Sequence, residues 1–436
     1  MAKVGMVSLG CAKNRVDAEL MLGLLKREGH EIVAEPSLAE VIIVNTCGFI
    51  EAAKQESIDA ILEMADYKRE GCRALIVTGC LSQRYGEELA AEMPEADAIL
   101  GLGQTEGIAE AVRKALLGEK TLNTSGAYRY AESAERVLST GGPYAYLKVS
   151  DGCSNRCSYC AIPSIRGPHR SRPMEEILRE AKSLCAQGVK ELVLVAQDTT
   201  RYGIDLYGEP RLEELLRALC ALPETTWIRV LYCYPDMLSD SLLLLMRDEP
   251  KICPYLDIPL QHLHDKVLHE MNRHGGHELI DGLLRKIRGL GGFALRSTVI
   301  CGFPGESDEE FEFMLRSLKE QPIDRLGAFA YSQEEGTGAG LREDQVPVKL
   351  RKSRAGRVMR QQKAISRAFN RARVGSEVEV LIEGEELGLY FGRSRWEAPE
   401  IDGLIYIELA EGLRIGDIVR VKLTKAKEYD MLGVLA

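Results

Sequence analysis

Three cysteines in the middle of the chain have the spacing of ligands to an iron-sulfur cluster. Cys153, Cys157 and Cys160 form a CxxxCxxC pattern, and three thiolates can hold three irons of a four-iron cubane while the fourth iron keeps no protein ligand. A closed electron-carrying cluster or a structural zinc site uses four ligands, and the next candidates are only His169 and Cys185. The pattern predicts an iron with an open position. The alternative is a group of core or zinc-binding cysteines.

A second set of three cysteines lies in the first quarter of the chain. Each of them follows a short apolar, β-branched run of the strand type, and they are Cys11, Cys47 and Cys80. Because the carboxyl ends of parallel strands lie at one edge of a sheet, neighbouring strands can bring the three thiols together. Cys72 precedes its strand and is interpreted as structural. This set predicts an auxiliary cluster, and the alternative for any one cysteine is a small buried core residue.

Alternating strand and helix patterns divide the chain into three predicted domains and a linker. Residues 1–118 have the pattern of a parallel-sheet βα domain, 119–142 are a polar linker, 143–370 contain six βα repeats, and 371–436 contain short alternating runs between glycines. Six βα repeats predict a partial (β/α)6 barrel, and the last pattern predicts a small antiparallel β-barrel. The predicted fold class is therefore α/β.

Polar residues near the ends of the predicted barrel strands are candidates for ligand binding. Gln197 and Asp198 follow one strand, Gly302 follows another, and Arg296 lies inside a strand. The carboxyl ends of barrel strands lie on the face that carries the active site, so we expect these residues to face the loop with the central cysteine motif. Each residue also has a structural interpretation. Gln197, Asp198 and Gly302 are typical of turns at strand ends. Arg296 can instead pair with a structural acidic residue.

Composition and charge limit the class of protein. The chain has 436 residues, of which 45% are apolar, and it contains 12 cysteines. Without an apolar run of about 18 residues or a signal-peptide pattern, it is predicted to be cytoplasmic, with no membrane partner and with reduced thiols. The net charge is -10, which disfavours a generally polyanion-binding surface.

The motifs resemble those of the radical S-adenosylmethionine (SAM) methylthiotransferases over essentially the whole chain. The CxxxCxxC spacing is typical of radical SAM enzymes, and the segments 8–14, 45–50, 196–200 and 257–262 are similar to the RimO branch of the family. The resemblance implies two four-iron clusters on the two cysteine sets, a radical SAM barrel and a C-terminal TRAM domain. It also implies SAM binding, for which the candidates are Tyr159, Gln197, Asp198, Arg296 and Gly302.

The resemblance to the RimO branch further implies an activity and a set of partners. Such enzymes add a methylthio group to the β-carbon of an aspartate in the small-subunit ribosomal protein conventionally numbered twelve. The implied partners are this protein or the assembled subunit, an external electron donor and a sulfur donor. Two alternatives stay open, namely a transfer RNA adenosine methylthiotransferase and a non-enzymatic iron-sulfur protein that binds ribosomes or senses redox state.

The charge of the C-terminal domain favours the protein substrate. Residues 371–436 contain nine Lys or Arg and thirteen Asp or Glu, whereas a nucleic-acid module is expected to be basic. The alternative is that the few basic residues of this domain, such as Arg393 and Arg395, cluster on one RNA-facing surface. The acidic positions predicted to attract a basic protein are Glu385, Glu386, Glu397, Glu400 and Asp402.

Overall fold

The computed structural model describes residues 1–126, 128, 130, 135–409 and 412–436. The chain divides into two compact units. Unit 1 consists of Met1–Ser139, Ser150–Arg172 and Ser332–Gly340, and unit 2 consists of Thr140–Val149, Pro173–Tyr331 and Leu341–Ala436. Unit 1 therefore contains the central cysteine motif in addition to the N-terminal part of the chain. The predicted linker 119–142 lies partly outside the described residues.

The main element of unit 1 is a six-stranded parallel sheet with helices on its two faces. Strands β3 and β4 are buried along their whole length, as expected for parallel strands covered on both faces. The sheet order is β2-β1-β3-β4-β5-β6, which confirms the predicted parallel-sheet fold and adds β6 from within the predicted linker. The elements are β1 Lys3–Ser8, α1 Ala12–Arg27, β2 Glu31–Ile32, β3 Val41–Thr46, α2 Glu51–Asp66, β4 Ala74–Gly79, α3 Cys80–Glu92, β5 Ala98–Leu100, α4 Ile108–Leu116 and β6 Thr121–Asn123.

Two further segments of the chain belong to unit 1. In the first, strands β8 (Ser150–Asp151) and β9 (Arg170–Ser171) form an antiparallel pair that encloses helix α5 (Ile162–Arg166). The second segment, Ser332–Gly340, is attached through Glu334, which accepts from Arg84 Nη1 at 3.1 Å and pairs with Lys54 Nζ at 3.2 Å. Glu334 thus joins this segment to helices α2 and α3.

Unit 2 begins with six parallel strands, interpreted from the sequence as a partial barrel. They form two three-stranded groups, β7-β10-β11 and β12-β13-β14. The groups meet where the Cys233 amide donates to the Asp257 carbonyl at 2.8 Å. The strands are β7 Tyr144–Lys148, β10 Glu191–Val195, β11 Trp227–Val230, β12 Tyr255–Asp257, β13 Ala294–Cys301 and β14 Arg325–Ala330.

Helices accompany these strands and follow them in the chain. They are α6 Met174–Ala186, α7 Ile204–Tyr207, α8 Leu212–Cys220, α9 Asp240–Asp248, α10 Asp265–Glu270, α11 His277–Leu290, α12 Asp308–Glu320 and α13 Val348–Ala372. Helix α12 begins with a capping box, in which Ser307 and Glu310 bond each other's backbone amides, an arrangement that stabilises a helix start. Within the described ranges no helix is long and apolar enough to cross a membrane.

The C-terminal segment forms a closed five-stranded barrel in the order β15-β16-β17-β19-β18. A ring with an odd number of strands cannot alternate direction throughout, so one neighbouring pair has to be parallel. That pair is β17 and β19, a detail that the predicted antiparallel barrel lacked. The strands are β15 Glu377–Glu386, β16 Leu389–Arg393, β17 Ile405–Glu408, β18 Ile418–Ala426 and β19 Met431–Leu435.

Candidate active site

The N-terminal cysteines follow three adjacent parallel strands. Cys11 precedes α1 just after β1, Cys47 follows β3 directly, and Cys80 begins α3 at the end of β4. Since β3 pairs with both β1 and β4, the three residues lie at one edge of the sheet. We call Cys11, Cys47 and Cys80 the auxiliary triad. The structure thus places the three cysteines that the sequence selected after adjacent strands at one edge of the sheet.

The three thiols of the auxiliary triad lie in different electrostatic surroundings. Burial raises the pKa of Cys47 to about 12, and the neighbouring charges of Cys80 and Cys11 act in the same direction. Burial likewise raises the pKa of Cys80. Burial also opposes ionisation of Cys11, but the charges of Lys13 and Arg166 outweigh it and lower the pKa of that thiol. Metal binding requires the thiolate form, so Cys11 is the thiol of the triad most easily converted to a ligand.

A glycine keeps space for one thiol of the auxiliary triad. Gly10 has φ of +89°, and a Cβ atom built on it would lie 2.8 Å from Cys47 Cβ and 3.1 Å from Cys47 Sγ. Positive φ is easily adopted by glycine alone. Gly10 is therefore needed both for the turn from β1 to α1 and for the approach of Cys47.

The central cysteines occupy the loop between β8 and α5, and we call Cys153, Cys157 and Cys160 the radical triad. Cys153 and Cys157 are each only 7% exposed. The Cys153 amide donates to the Gly167 carbonyl at 3.1 Å, and the Cys160 amide donates to the Cys157 carbonyl at 3.0 Å. These local bonds fix the loop near both ends of the motif.

The donor sets fit a cluster better than a single ion. Among the described residues, no three His, Cys, Asp or Glu side chains converge closely enough to hold one metal ion. A four-iron cubane places each thiolate on a different iron, so its ligands need not converge on one point. Each set supplies three thiols, which is the donor type that such clusters use.

Arg166 connects the surroundings of the two triads inside unit 1. Its guanidinium donates to Asp151 Oδ2 at 2.7 Å and to Asp17 Oδ2 at 3.0 Å, and its Nη2 lies 3.5 Å from Cys80 Sγ. The side chain is 1% exposed. Asp151 lies two residues before the radical triad, whereas Cys80 belongs to the auxiliary triad. One buried cation thus contacts both parts of the site.

Apolar packing supports the same connection. A buried cluster contains Cys80 together with Ala161 and Ile165, which lie directly after the radical triad and within α5. Arg166 was not selected from the sequence. The only local signal is its position in a short helix six residues after Cys160, and this signal gives no information about burial or partners.

Gln197 has the strongest ligand-binding signal among the candidates in unit 2. It follows β10, and both its side-chain oxygen and nitrogen are buried without a hydrogen-bond partner within the described part of the chain. An unsatisfied buried amide is costly. A polar ligand such as SAM would satisfy it.

The other candidates are engaged in structural contacts. The Asp198 carboxylate accepts from Thr200 Oγ1 at 2.6 Å and from Arg201 Nε at 3.1 Å. Arg296 donates to Asp257 Oδ1 at 2.5 Å, the acidic partner considered as its alternative. These contacts favour the structural interpretation for both residues.

Gly302 and Tyr159 are the other two residues predicted to contact a ligand. Gly302 has φ of +76°, and a Cβ atom there would lie 2.4 Å from Arg351 Cγ, so its lack of a side chain is required by the packing of α13. Tyr159 is half-buried inside the radical triad loop of unit 1. That the strand ends of unit 2 and this loop form one site stays a prediction.

The C-terminal barrel corrects the hypothesis of an RNA-facing pair of arginines. Arg393 is fully buried and donates to Glu191 Oε2 at 2.6 Å. Arg395 donates to the Ile252 carbonyl, and its own carbonyl accepts from Arg229 Nη1 at 3.0 Å. Both arginines hold β16 and the loop after it against the barrel strands. Arg393 therefore offers no free charge to RNA, whereas Arg395 is half-buried and its Nη2 bonds a neutral carbonyl.

Three of the five acidic candidates are likewise internal contacts. Glu397 is 2% exposed and pairs with Arg325 and Arg373. Glu400 accepts from the hydroxyls of Tyr144 and Tyr146 at 3.0 and 3.1 Å, and Asp402 accepts from Tyr255 at 2.6 Å. Glu400 is exposed in spite of these two bonds, and Glu385 and Glu386 are exposed side by side at the end of β15.

Comparison with known families matches three parts of the chain. Residues 3–101 match an uncharacterised protein family, UPF0004, residues 147–318 match the radical SAM superfamily, and residues 374–435 match the TRAM domain. Radical SAM membership implies a [4Fe-4S] cluster and SAM. A radical SAM methyltransferase from Kitasatospora setae, TsrM, shares the fold, with a TM-score of 0.57 and 15% identity over 78% of this chain and 77% of that chain.

Curated relatives extend the match to the full length. A protein of Pelotomaculum thermopropionicum named ribosomal protein uS12 methylthiotransferase RimO is 50% identical over 99% of this chain and 98% of its own length. A protein of the same name from Geotalea uraniireducens is also 50% identical, with the same coverage of both chains. With the predicted motifs, the three matched domains and this identity taken together, the chain belongs to the RimO family of radical SAM methylthiotransferases.

Proposed function

We propose that this enzyme adds a methylthio group to the β-carbon of an aspartate in the small-subunit ribosomal protein uS12. The observation that carries the proposal is the presence of two cysteine triads in one compact unit, with Arg166 in contact with the surroundings of both. Inserting a methylthio group into a C–H bond requires a radical generator and a sulfur carrier. The printed names of the full-length relatives support uS12 as the substrate.

Each triad is proposed to hold one four-iron cluster, giving two clusters per chain. When bound, SAM and the clusters supply the radical, the methyl group and the sulfur. The chain holds these groups through Cys153, Cys157 and Cys160 on one side and Cys11, Cys47 and Cys80 on the other. Its own contribution is to bind, orient and shield them, as in other cofactor enzymes.

Gln197 is the residue proposed to contact SAM directly, because both polar atoms of its buried amide need partners. Tyr159 is proposed as a second contact. Asp198 and Arg296 are proposed to shape the strand ends through Arg201 and Asp257, and Gly302 is proposed to allow the approach of α13.

The reaction also requires groups that the chain does not supply. Cleaving SAM reductively consumes electrons, and each product takes up a sulfur atom. We therefore propose an external electron donor and a sulfur donor as partners. A cytoplasmic location, where both donors and ribosomes are present, stays a prediction.

The exposed turn between β15 and β16 is the proposed contact for a basic protein substrate. It carries Glu385 and Glu386 beside Leu387, which is 94% exposed. The double reversal Glu385→Lys/Glu386→Lys should raise the KM for uS12 several-fold and reduce its dependence on salt, since steering by opposite charge weakens as ionic strength rises.

A matched control for this reversal lies on the same strand. Glu377 and Glu379 are exposed near the start of β15, and Glu377→Lys/Glu379→Lys changes the net charge equally. An equal rise in KM for both variants would indicate a net-charge effect and would exclude a specific contact at the turn.

One experiment separates the proposed substrate from the alternatives. Reconstituted enzyme is offered uS12 and unmodified transfer RNA together with SAM, a reductant and sulfide, and both macromolecules are analysed by mass spectrometry. We expect a methylthio group on one aspartate of uS12. Methylthio-adenosine with unmodified uS12 would assign the enzyme to transfer RNA, and SAM cleavage without either product, or no cleavage, would overturn the proposal.

A further inference from the structure

A short segment late in the chain, Ser332–Gly340, belongs to unit 1, whereas the residues on either side of it belong to unit 2. We call it the bridging segment. All nine of its residues lie in turns or irregular loop. A loop without the hydrogen bonds of a helix or a sheet keeps one conformation only where other bonds hold it. The bonds of the bridging segment therefore decide which parts of unit 1 it connects.

Glu334 attaches the bridging segment to helices α2 and α3. Its carboxylate accepts from the Glu51 amide at 2.9 Å and from Arg84 Nη1 at 3.1 Å. It also pairs with Lys54 Nζ at 3.2 Å. The Glu334 side chain is 2% exposed, and those of Lys54 and Arg84 are 14% and 9% exposed. Removing one partner of such a shielded pair is costly, because the other charge is left behind without compensation. The position of Glu334 is therefore firmly fixed.

Arg84 extends this contact to the loop of the auxiliary triad. The Nη1 atom that bonds Glu334 also donates to the Gly48 carbonyl at 3.0 Å. Gly48 directly follows Cys47 in the sequence. A Cβ atom on Gly48 would lie 3.0 Å from the carbonyl carbon of Cys80, so this loop packs closely against the start of α3. One side chain thus separates the bridging segment from the backbone next to two cysteines of the auxiliary triad.

The other end of the bridging segment contacts the loop of the radical triad. The Ala339 amide donates to the Ser158 carbonyl at 2.8 Å. Ser158 lies between Cys157 and Cys160, and Ala339 is fully buried. A Cβ atom on Gly338 would lie 3.7 Å from the same carbonyl oxygen. The backbone of the bridging segment therefore packs directly on the cysteine loop.

Internal bonds hold the two ends of the bridging segment together. Ser332 Oγ donates to Glu334 Oε1 at 2.7 Å, and Thr337 Oγ1 donates to the Glu334 carbonyl at 2.7 Å. The Gly340 amide donates to Thr337 Oγ1 at 3.0 Å. A Cβ atom on Gly340 would lie 2.1 Å from the Glu334 carbonyl oxygen, so the chain can fold back at this point only with glycine. A displacement at one end of the segment is therefore transmitted to the other.

We propose that the bridging segment sets the position of the radical triad relative to the auxiliary triad, with Glu334 as its positioning residue. Its contacts are distinct from those of Arg166, because they reach the residue after Cys47 and the loop between Cys157 and Cys160. The role rests on the proposed function, in which SAM cleavage depends on one triad and the methylthiolated product on both. The separation of the triads then decides how often cleavage leads to product.

The test measures hydrogen exchange by mass spectrometry in the full-length reconstituted enzyme. Glu334→Ala should speed exchange roughly tenfold in peptides that cover residues 153–160, since a loop opens more often when a contact that holds it is lost. This effect is diagnostic because the Glu334 carboxylate bonds α2 and α3, at the other end of the bridging segment. Glu335→Ala is the control with the same charge change. Its side chain is exposed, and the variant keeps the Glu335 carbonyl that accepts from Arg84 Nη2 at 2.6 Å.

A second measurement follows the coupling between SAM cleavage and product. Glu334→Ala should keep SAM cleavage and lower the ratio of methylthiolated uS12 to 5'-deoxyadenosine by roughly tenfold or more, because a misplacement of about 1 Å can cost about 100-fold. Glu334→Gln keeps the shape of the side chain and the oxygen that accepts from Glu51 and Ser332. Its exchange rate and its product ratio should lie between those of the unmodified enzyme and Glu334→Ala. This milder variant decides the question if Glu334→Ala does not fold.

Each outcome decides the proposal. Faster exchange confined to α2 and α3 in the Glu334 variants, or equal changes in Glu335→Ala, would overturn it. A parallel loss of SAM cleavage and product, with an unchanged ratio, would also overturn it, because Glu334 would then only stabilise the fold. Hydrogen exchange requires no turnover. If the unmodified enzyme made no methylthiolated uS12, the proposed function would fail, while the exchange result would still decide the role of the bridging segment.

Discussion

The two cysteine triads differ in how the chain assembles them. The radical triad is contained in eight consecutive residues, and backbone bonds from Cys153 and Cys160 fix its loop. The auxiliary triad comes from the ends of three parallel strands, with successive cysteines 36 and 33 positions apart in the sequence. A local motif depends on short-range geometry, whereas the distributed one depends on sheet order. The comparison predicts that the two respond differently to substitution.

The largest predicted effect separates the two triads by chemistry. Cys157→Ala should abolish both 5'-deoxyadenosine formation and methylthiolation, because it removes a ligand of the cluster that activates SAM. Cys11→Ala should keep SAM cleavage and lose the methylthiolated product. Both products are measured by chromatography and mass spectrometry under anaerobic reducing conditions. Normal product formation by Cys11→Ala would contradict separate roles.

Iron content provides the second measurement. Anaerobic reconstitution of the unmodified chain should give about eight irons, as expected for two four-iron clusters. Replacing all three cysteines of either triad by Ala should leave about four. Full iron content in one triple variant would show that its triad does not ligate a cluster.

Arg166 tests whether the two triads are independent. Arg166→Gln removes a buried cation that pairs with Asp17 and Asp151, and breaking such a buried pair costs about 3 kcal/mol in the free energy of unfolding. We expect a lower Tm and altered electron paramagnetic resonance spectra for both clusters. Arg166→Lys keeps the charge and should recover part of the Tm. Spectra that change for only one cluster would make Arg166 a local residue of that triad.

The smallest predicted effect concerns the glycine beside Cys47. Gly10→Ala and Gly29→Ala both place a side chain at positive φ, +89° and +86°, at a cost of about 1 to 2 kcal/mol each. Only Gly10→Ala also meets Cys47, since nothing lies within 4 Å of a Cβ atom on Gly29. We expect a larger loss of Tm for Gly10→Ala than for Gly29→Ala, with iron lost from the auxiliary cluster in Gly10→Ala alone. Equal iron contents would exclude a role for Gly10 in positioning Cys47.

Much of the architecture could be predicted because it depends on local patterns. The runs 41–46 and 74–78 became β3 and β4, and the six βα repeats became six parallel strands. The adjacency of β1, β3 and β4 also agreed with the expectation that Cys11, Cys47 and Cys80 meet. Strand β6 was missed because it has three residues in a polar segment.

The sequence did not predict which charged side chains are buried and which are exposed. A count over residues 371–436 correctly found an acidic segment, yet it gave no information about which charges are buried. Arg393 and Glu397 form buried ion pairs within the protein. Arg367 and Lys427 lie on either side of the predicted domain boundary in the sequence, and both line one concavity.

The sequence by itself determined the two candidate cysteine sets, since the types and spacing of the six cysteines are covalent properties of the chain. It also determined the order of strands and helices through local periodicity. Only the tertiary structure decided that Arg166 contacts Cys80 of the auxiliary triad and Asp151 beside the radical triad. The same holds for the unsatisfied amide of Gln197 and for the groove that α13 shares with the β18–β19 hairpin. These features join residues up to 149 positions apart. Such pairings depend on packing of the whole fold, because burial and charge pairing are set by neighbours in space.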